Sequence, residues 1–167
     1  MLMGRTDLIR RAREYADRKG RLVGPELGSG VHGIVLAAAS QGESGRSALK
    51  AHERSAEYSR ERDVYLRLQE LGVAQLRGCH VPELLAFDDE LWVLEMTVVS
   101  RPFVLDFAGA YLDQPPVYSE EVLADWNAEK LDQFGADWPE VQAILRTLEG
   151  FGVFMLDVNP GNISFRA

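Results

Sequence analysis

The segment from Arg21 to Lys50 restricts the fold most strongly, because closely spaced glycines interrupt its apolar sequence. The string Gly28-Ser29-Gly30-Val31-His32-Gly33 is followed at once by the apolar run 34–39. A dinucleotide-binding unit needs a full helix after such a string, and Gly42 follows too soon to allow one. The segment therefore predicts two strands joined at a glycine-rich turn, then a third strand that ends near Lys50.

Composition predicts a soluble globular protein with one domain or two small lobes. The chain has 167 residues, of which 46% are hydrophobic and 26% charged. No apolar run approaches the roughly 18 residues of a membrane-spanning helix, and the amino-terminal residues lack the apolar core of a signal peptide. Cys79 is the only cysteine, which excludes an internal disulfide. We therefore expect a cytoplasmic protein without membrane contact.

The net charge of −8 is distributed unevenly. Residues 1–21 contain seven bases and three acids, whereas residues 102–165 contain eleven acids and two bases. Phosphate backbones would be repelled by the acidic part, so we expect no nucleic-acid binding there. The basic segment predicts a solvated helix face, with an acidic partner, a phosphate or the chain's own acidic half as alternatives.

Two helices are predicted in the first half of the chain. Residues 6–19 place Leu8, Ala12 and Tyr15 at helical spacing, and residues 55–71 form a clearer amphipathic helix. Glu61 lies on the buried stripe of the second helix, together with Tyr58, Tyr65 and Leu68.

A carboxylate on a buried stripe needs a partner, and Lys50 is the candidate for Glu61. Lys50 is the only lysine between Lys19 and Lys130, and Ala48 and Leu49 embed it in apolar sequence. The alternatives are a surface lysine at a strand edge, and a Glu61 paired with neighbouring arginines or solvent. Glu57, one helical turn earlier, is the other carboxylate that could pair with Lys50.

Residues 81–96 predict a pair of strands joined at an acidic turn, and residues 98–104 a connection to the second half. Two further helices are predicted over 119–134 and 137–149. Their apolar stripes, which include Leu123, Trp126 and Leu131, are expected to form the core of a scaffold.

The segment Asp157-Val158-Asn159-Pro160-Gly161-Asn162-Ile163 combines a turn with chemically active side chains. An Asp and an Asn on either side of Asn-Pro-Gly can point the same way, so that the Asp orients a hydroxyl and the Asn amide oxygen binds Mg²⁺. The alternative is a hairpin turn between two short strands.

In their order and spacing, these features resemble the protein-kinase-like superfamily. The glycine string, Ala48-Leu49-Lys50, the helix bearing Glu61 and the segment 157–163 are most similar to small bacterial relatives of aminoglycoside phosphotransferases and lipopolysaccharide kinases. The resemblance implies an α+β, protein-kinase-like two-lobe fold with ATP and Mg²⁺ between the lobes. A basic helix over 1–20 would precede an antiparallel β-sheet N-lobe over 21–98 and a reduced helical C-lobe over 99–167.

The resemblance also implies a role for each matching residue. Asp157 would be the catalytic aspartate, Asn162 the metal ligand, and Lys50 the contact to the α- and β-phosphates, held by Glu61. The residues implied to lie against the nucleotide are Gly28, Ser29, Gly30, Gly33 and Val35.

One departure from the family pattern leaves two functions open. The Asp-Phe-Gly segment, whose Asp binds Mg²⁺, is expected after Asn162, but no Asp or Glu follows Asp157. The sequence is therefore compatible with a minimal ATP-dependent phosphotransferase acting on an unknown hydroxyl, or with a pseudokinase that regulates or scaffolds other proteins. A third alternative is an α+β domain whose glycine string is accidental. A reduced C-lobe also predicts an uncovered apolar surface around 151–166, which a protein partner or a second copy would bury.

Overall fold

The computed structural model describes residues 4–42, 45–99 and 103–165. Contacts divide the chain into two compact units, the first comprising Met1–Leu66 and Pro82–Val98 and the second Arg67–Val81 and Val99–Ala167. The described residues form an α+β structure, and they contain no helix with the length and apolar character needed to cross a membrane.

The helices and strands are numbered in chain order. The helices are α1 (Arg5–Lys19), α2 (Ser55–Glu70), α3 (Glu120–Phe134) and α4 (Trp138–Gly150), with a 3₁₀ turn, Gly135–Asp137, between the last two. The strands are β1 (Arg21–Gly30), β2 (Gly33–Ser40), β3 (Arg46–His52), β4 (Gln75–Leu76), β5 (Cys79–His80), β6 (Leu84–Asp88), β7 (Val93–Thr97), β8 (Phe103–Leu105), β9 (Ala110–Leu112), β10 (Val153–Met155) and β11 (Ile163–Phe165).

A five-stranded antiparallel sheet with the order β1-β2-β3-β7-β6 forms the centre of the first unit. The predicted glycine-rich turn joins β1 to β2, and the predicted strand pair over 81–96 is present as β6 and β7. Gly33 is required at the turn because its φ is +142° and a Cβ there would lie 2.0 Å from the Ala51 carbonyl oxygen.

Helix α1 packs against this sheet and supplies much of its core. Leu8, Ala12 and Tyr15 are buried and contact a cluster that includes Ile34 and Leu49. Full burial of each large apolar side chain contributes about 1.5–3 kcal/mol. The amphipathic pattern of residues 6–19 therefore folds as the predicted helix.

The expectation of a solvated basic face on α1 is wrong for Arg11, which is 4% exposed. Its guanidinium donates to the main-chain oxygens of Leu91 and His52, both at 2.6 Å, and lies over the Trp92 ring. A guanidinium can be buried here because carbonyl groups and an aromatic face satisfy it. The exposed Arg10, in contrast, pairs with acids of its own helix.

Two short antiparallel strand pairs organise the second unit around the segment 157–163. Strand β10 pairs with β9, with Met155 opposite Ala110, and β11 pairs with β8, with Ile163 opposite Leu105. Helix α4 buries Val141, Ile144 and Leu148 in the same unit. The pairs join segments that are distant in sequence, so local pattern could not predict them.

One expectation about apolar burial holds only in part, and another is wrong. Around 151–166, Val153 and Ile163 are almost fully buried, because they pair with β9 and β8, whereas Leu156 is 40% exposed. The stripe of α3 was expected in the core, but Leu123 and Leu131 are 41% and 54% exposed. Among the described residues of α3, only Lys130 is buried. The exposed apolar side chains of the second unit therefore include residues of α3 as well as Leu156.

Candidate functional site

Three residues predicted to contact a nucleotide form one row across the sheet of the first unit. Gly28 is opposite Val35 in the β1–β2 pair, and Val35 is opposite Lys50 in the β2–β3 pair. Directly opposed residues point to the same face of a sheet, so the half-buried Val35 and the buried Lys50 share a face. The register therefore aligns the first glycine of the string with Lys50.

The fold does not itself require the first two glycines of the string, Gly28 and Gly30. A Cβ added at Gly28 or Gly30 would meet no atom within 4 Å, unlike one added at Gly33. Ser29 is exposed beside them, and Val31 at the tip of the turn is 83% exposed. Gly28 and Gly30 therefore leave open space over the turn, which permits close approach of a ligand to the backbone.

Lys50 and Glu61 form the expected ion pair. The Lys50 Nζ donates to the Glu61 Oε1 at 2.8 Å, and the side chains are 7% and 1% exposed. The alternative partner Glu57 lies instead 3.6 Å from the His32 Nδ1 and 3.8 Å from Arg54. The pair fixes the lysine head group in a dry environment, where an ammonium interacts strongly with anions.

His52 completes this cluster and was not predicted. Its Nε2 lies 2.7 Å from the Glu61 Oε2, its Nδ1 lies 3.3 Å from the Trp92 main-chain oxygen, and the side chain is fully buried. The available signal was strand periodicity, because His52 is two residues after Lys50 and so faces the same side of β3. Each oxygen of Glu61 therefore has its own nitrogen partner.

Two opposing effects act on the pKa of Glu61. Burial by itself would raise this pKa, but the charges and hydrogen bonds of Lys50 and His52 outweigh it and lower the pKa to about 2. The carboxylate is therefore ionised at neutral pH despite being buried. A constantly charged Glu61 keeps the Lys50 head group in one position.

In the second unit, the side chains of Asp157, Asn159 and Asn162 are hydrogen-bonded together. The Asn159 Nδ2 donates to the Asp157 Oδ1 and the Asn162 Nδ2 to the Asp157 Oδ2, both at 2.9 Å. Gly161 donates its main-chain N–H to the Asn159 side chain at 2.8 Å. Asp157 and Asn162 therefore point the same way, as expected, and the two amides hold the carboxylate in place. The alternative of a hairpin turn is wrong, because β10 and β11, the strands on either side, pair with β9 and β8 and not with each other.

An acidic residue that sequence reasoning missed lies beside this cluster. The main-chain N–H of Asp106 donates to the Asn162 main-chain oxygen at 2.9 Å, directly after the pairing of Leu105 with Ile163. The Asp106 Oδ1 accepts from the Ala108 N–H at 2.9 Å, and Phe107 is fully buried. Asp106 was overlooked because a second aspartate was sought only after Asn162.

The available signal was the run Leu105-Asp106-Phe107-Ala108-Gly109, an aspartate and a phenylalanine after a short strand. Its Asp106-Phe107 is followed by Ala108 and only then by Gly109, whereas the expected segment is Asp-Phe-Gly. This run precedes Asp157 in the chain, whereas the family pattern places it afterwards.

Gly109 allows the two loops to approach each other. A Cβ at this position would lie 2.5 Å from the Asp157 Cβ and 3.1 Å from the Asp157 nitrogen. The Leu156 N–H donates to the Gly109 main-chain oxygen at 3.1 Å, next to the pairing of Met155 with Ala110. Glycine is therefore needed here for close packing against Asp157.

The oxygen atoms near Asn162 are potential ligands of Mg²⁺. Among the described residues, no group of three or more His, Cys, Asp or Glu is arranged to hold a metal ion. Mg²⁺ in nucleotide sites requires less, since one or two carboxylates together with phosphates and water complete its shell. Asp157, Asp106 and the amide oxygen of Asn162 offer hard oxygen donors of this type. Their chemistry fits Mg²⁺ bound together with a nucleotide.

Comparisons with protein-family models, with curated proteins and with solved structures find no match to this chain.

Proposed function

We propose that this protein binds ATP with Mg²⁺ and transfers the γ-phosphoryl group to a hydroxyl-bearing acceptor. The observation that carries the proposal is the hydrogen bond between Asp106 and Asn162, because it brings a second carboxylate residue to the segment that holds Asp157. The groups assigned to the triphosphate belong to the first unit, and those assigned to the metal and the acceptor belong to the second.

Phosphate binding is assigned to the glycine turn and Lys50. The open space above Gly28 and Gly30 allows phosphate oxygens to approach main-chain N–H groups. Lys50 lies in the same row of the sheet as Gly28. Its ammonium group is held by Glu61, and His52 binds the other oxygen of that carboxylate. In protein kinases a β3 lysine paired with a helix glutamate performs this task.

Phosphoryl transfer is assigned to Asp157. The acceptor oxygen forms a bond to the γ-phosphorus while the bond from that phosphorus to the bridging oxygen breaks, and ADP leaves. Asp157 orients the acceptor hydroxyl and takes its proton, a role for which the amides of Asn159 and Asn162 hold the carboxylate in a fixed orientation.

Mg²⁺ would be held by Asn162, Asp106 and Asp157. The chemistry that a bound Mg²⁺ supplies is neutralisation of charge on the phosphoryl oxygens. Asp106 takes the part of the aspartate in Asp-Phe-Gly, although it precedes the catalytic segment in the chain. The alternative of an impaired pseudokinase rested on the missing second carboxylate, and the position of Asp106 weakens that argument.

Thermal unfolding with and without ATP and Mg²⁺ tests nucleotide binding. A ligand at about 100 times its Kd adds roughly 2.7 kcal/mol, which corresponds to a rise of about 5 to 10 °C in Tm for a chain of this size. Lys50→Met should lose this rise, measured against its own Tm, whereas the exposed Lys19→Met should keep it. No rise in the wild type, or an equal rise in Lys50→Met, would contradict the proposal.

A further inference from the structure

The second unit contains an apolar groove with helices on two sides. It is lined by Leu123 and Trp126 of α3, by Leu145 of α4, and by Tyr118 and Phe154. The cavity has a volume of about 270 Å³. Its walls are built from residues one helical turn apart, which is the arrangement that accepts the apolar face of a further helix.

The apolar surface extends beyond the groove. Val117, Val122 and Leu131 do not line the cavity, yet they are 95%, 48% and 54% exposed. A small molecule that filled the cavity would leave these side chains in water. An occupant longer than the cavity would cover the groove and its apolar surroundings together.

Helix α3, which contributes to the lining of the groove, is acidic on its exposed surface. It carries five exposed acids, and its one base, Lys130, is buried beside Glu129. Among the described residues that line the groove, Glu149 alone is charged, and no ion pair within the described residues involves it. An apolar groove that contains one carboxylate and is lined by an acidic helix is complementary to an apolar stripe flanked by lysines or arginines.

We propose that this groove, between α3 and α4, binds a basic amphipathic helix of a partner protein. A second copy of the chain is disfavoured as the occupant, because a symmetric contact would bring two equally acidic faces together. Leucines at helical spacing on the partner would enter between Leu123, Trp126 and Leu145. Its basic residues would pair with Glu149 and with the acids of α3.

A designed peptide tests this proposal directly. The probe is a fluorescein-labelled peptide of about 18 residues, long enough to span five helical turns, with leucines on one helical face and lysines elsewhere. Its fluorescence anisotropy is measured with the full chain at about 150 mM salt. We expect saturable binding at micromolar protein, weaker binding at higher salt, and at least about tenfold weaker binding of a peptide with the same residues in scrambled order.

Variants locate the binding surface. Leu123→Glu and Glu149→Lys should each weaken binding about tenfold, whereas Leu71→Glu and Glu70→Lys, exposed outside the groove in the same unit, should leave it unchanged. Circular dichroism confirms that each variant is folded. Equal binding of the scrambled peptide, or unchanged binding by Leu123→Glu, would overturn the proposal. A dimer in sedimentation that Leu123→Glu dissociates would overturn it in favour of a second copy.

Discussion

The main-chain N–H of Asp106 donates to the main-chain oxygen of Asn162 over 2.9 Å, although the two residues are distant in the sequence. The bond continues the antiparallel pairing of β8 with β11, and β9 forms a second antiparallel pair with β10. Four short strands thus bring the loop 106–109 next to the segment 157–162. The proposed phosphotransferase depends on this arrangement, because it supplies a second carboxylate.

Gly109→Ala should displace Asp157, because the new Cβ would lie 2.5 Å from the Asp157 Cβ. Overpacking of this kind costs about 1–3 kcal/mol in the free energy of unfolding. We also expect the Mg²⁺-dependent part of ATP binding to fall, since Asp157 moves. Gly150→Ala is the control, because a Cβ there meets no atom within 4 Å. Equal stability and ATP binding in both variants would contradict the assigned role of Gly109.

Glu61 should make the free energy of unfolding depend on pH in the acidic range. Its pKa falls from an ordinary 4.5 to about 2 in the folded chain, so its stabilisation is present above about pH 4.5 and is lost as the pH falls toward 2. The full effect is on the order of 3 kcal/mol. Urea unfolding between pH 3 and 7 measures it in the wild type and in Glu61→Gln.

The difference between the two proteins isolates Glu61 from other carboxylates. Asp7, Asp113 and Glu140 also have lowered pKa values because arginines bind them, and they contribute equally to both proteins. We expect the stability advantage of the wild type to shrink as the pH falls below about 4.5. An advantage that is constant over this range would show that Glu61 is not the charged partner of Lys50.

Arg11→Ala should destabilise the first unit by about 3 kcal/mol, because it leaves two buried carbonyl groups without their charged donor. Arg13→Ala, on the exposed face of the same helix, should change the free energy of unfolding by less than about 0.5 kcal/mol. Urea unfolding of both variants gives the comparison. Similar losses in the two variants would mean that Arg11 acts only through general helix charge.

Residue spacing and glycine positions predicted those features of the fold that depend on neighbouring residues in the sequence. The spacing of Leu8, Ala12 and Tyr15 identified the buried face of α1, and the glycine string identified the turn between β1 and β2. The pairing of Lys50 with Glu61 was also predicted, since an acid on a buried helix stripe needs a cation. In each case the signal lay within one element or in one charge that required a partner.

The remaining features depend on contacts between distant segments. The pairing of Leu105 with Ile163 leaves no trace in either short strand, so the position of Asp106 could not be read from the sequence order. The stripe of α3 has the period of a buried helix, but a period cannot show which surface covers it. Leu123 and Leu131 are accordingly exposed where a core was expected.

Titration calorimetry of ATP, with and without Mg²⁺, is the most direct test of the metal site assigned to Asp106. In the wild type we expect Mg²⁺ to tighten ATP binding at least about tenfold, a difference of about 1.4 kcal/mol. Asp106→Asn should bind ATP alone as the wild type does but gain nothing from Mg²⁺, and the exposed Asp132→Asn should behave as the wild type. Full Mg²⁺-dependent tightening in Asp106→Asn would contradict the account.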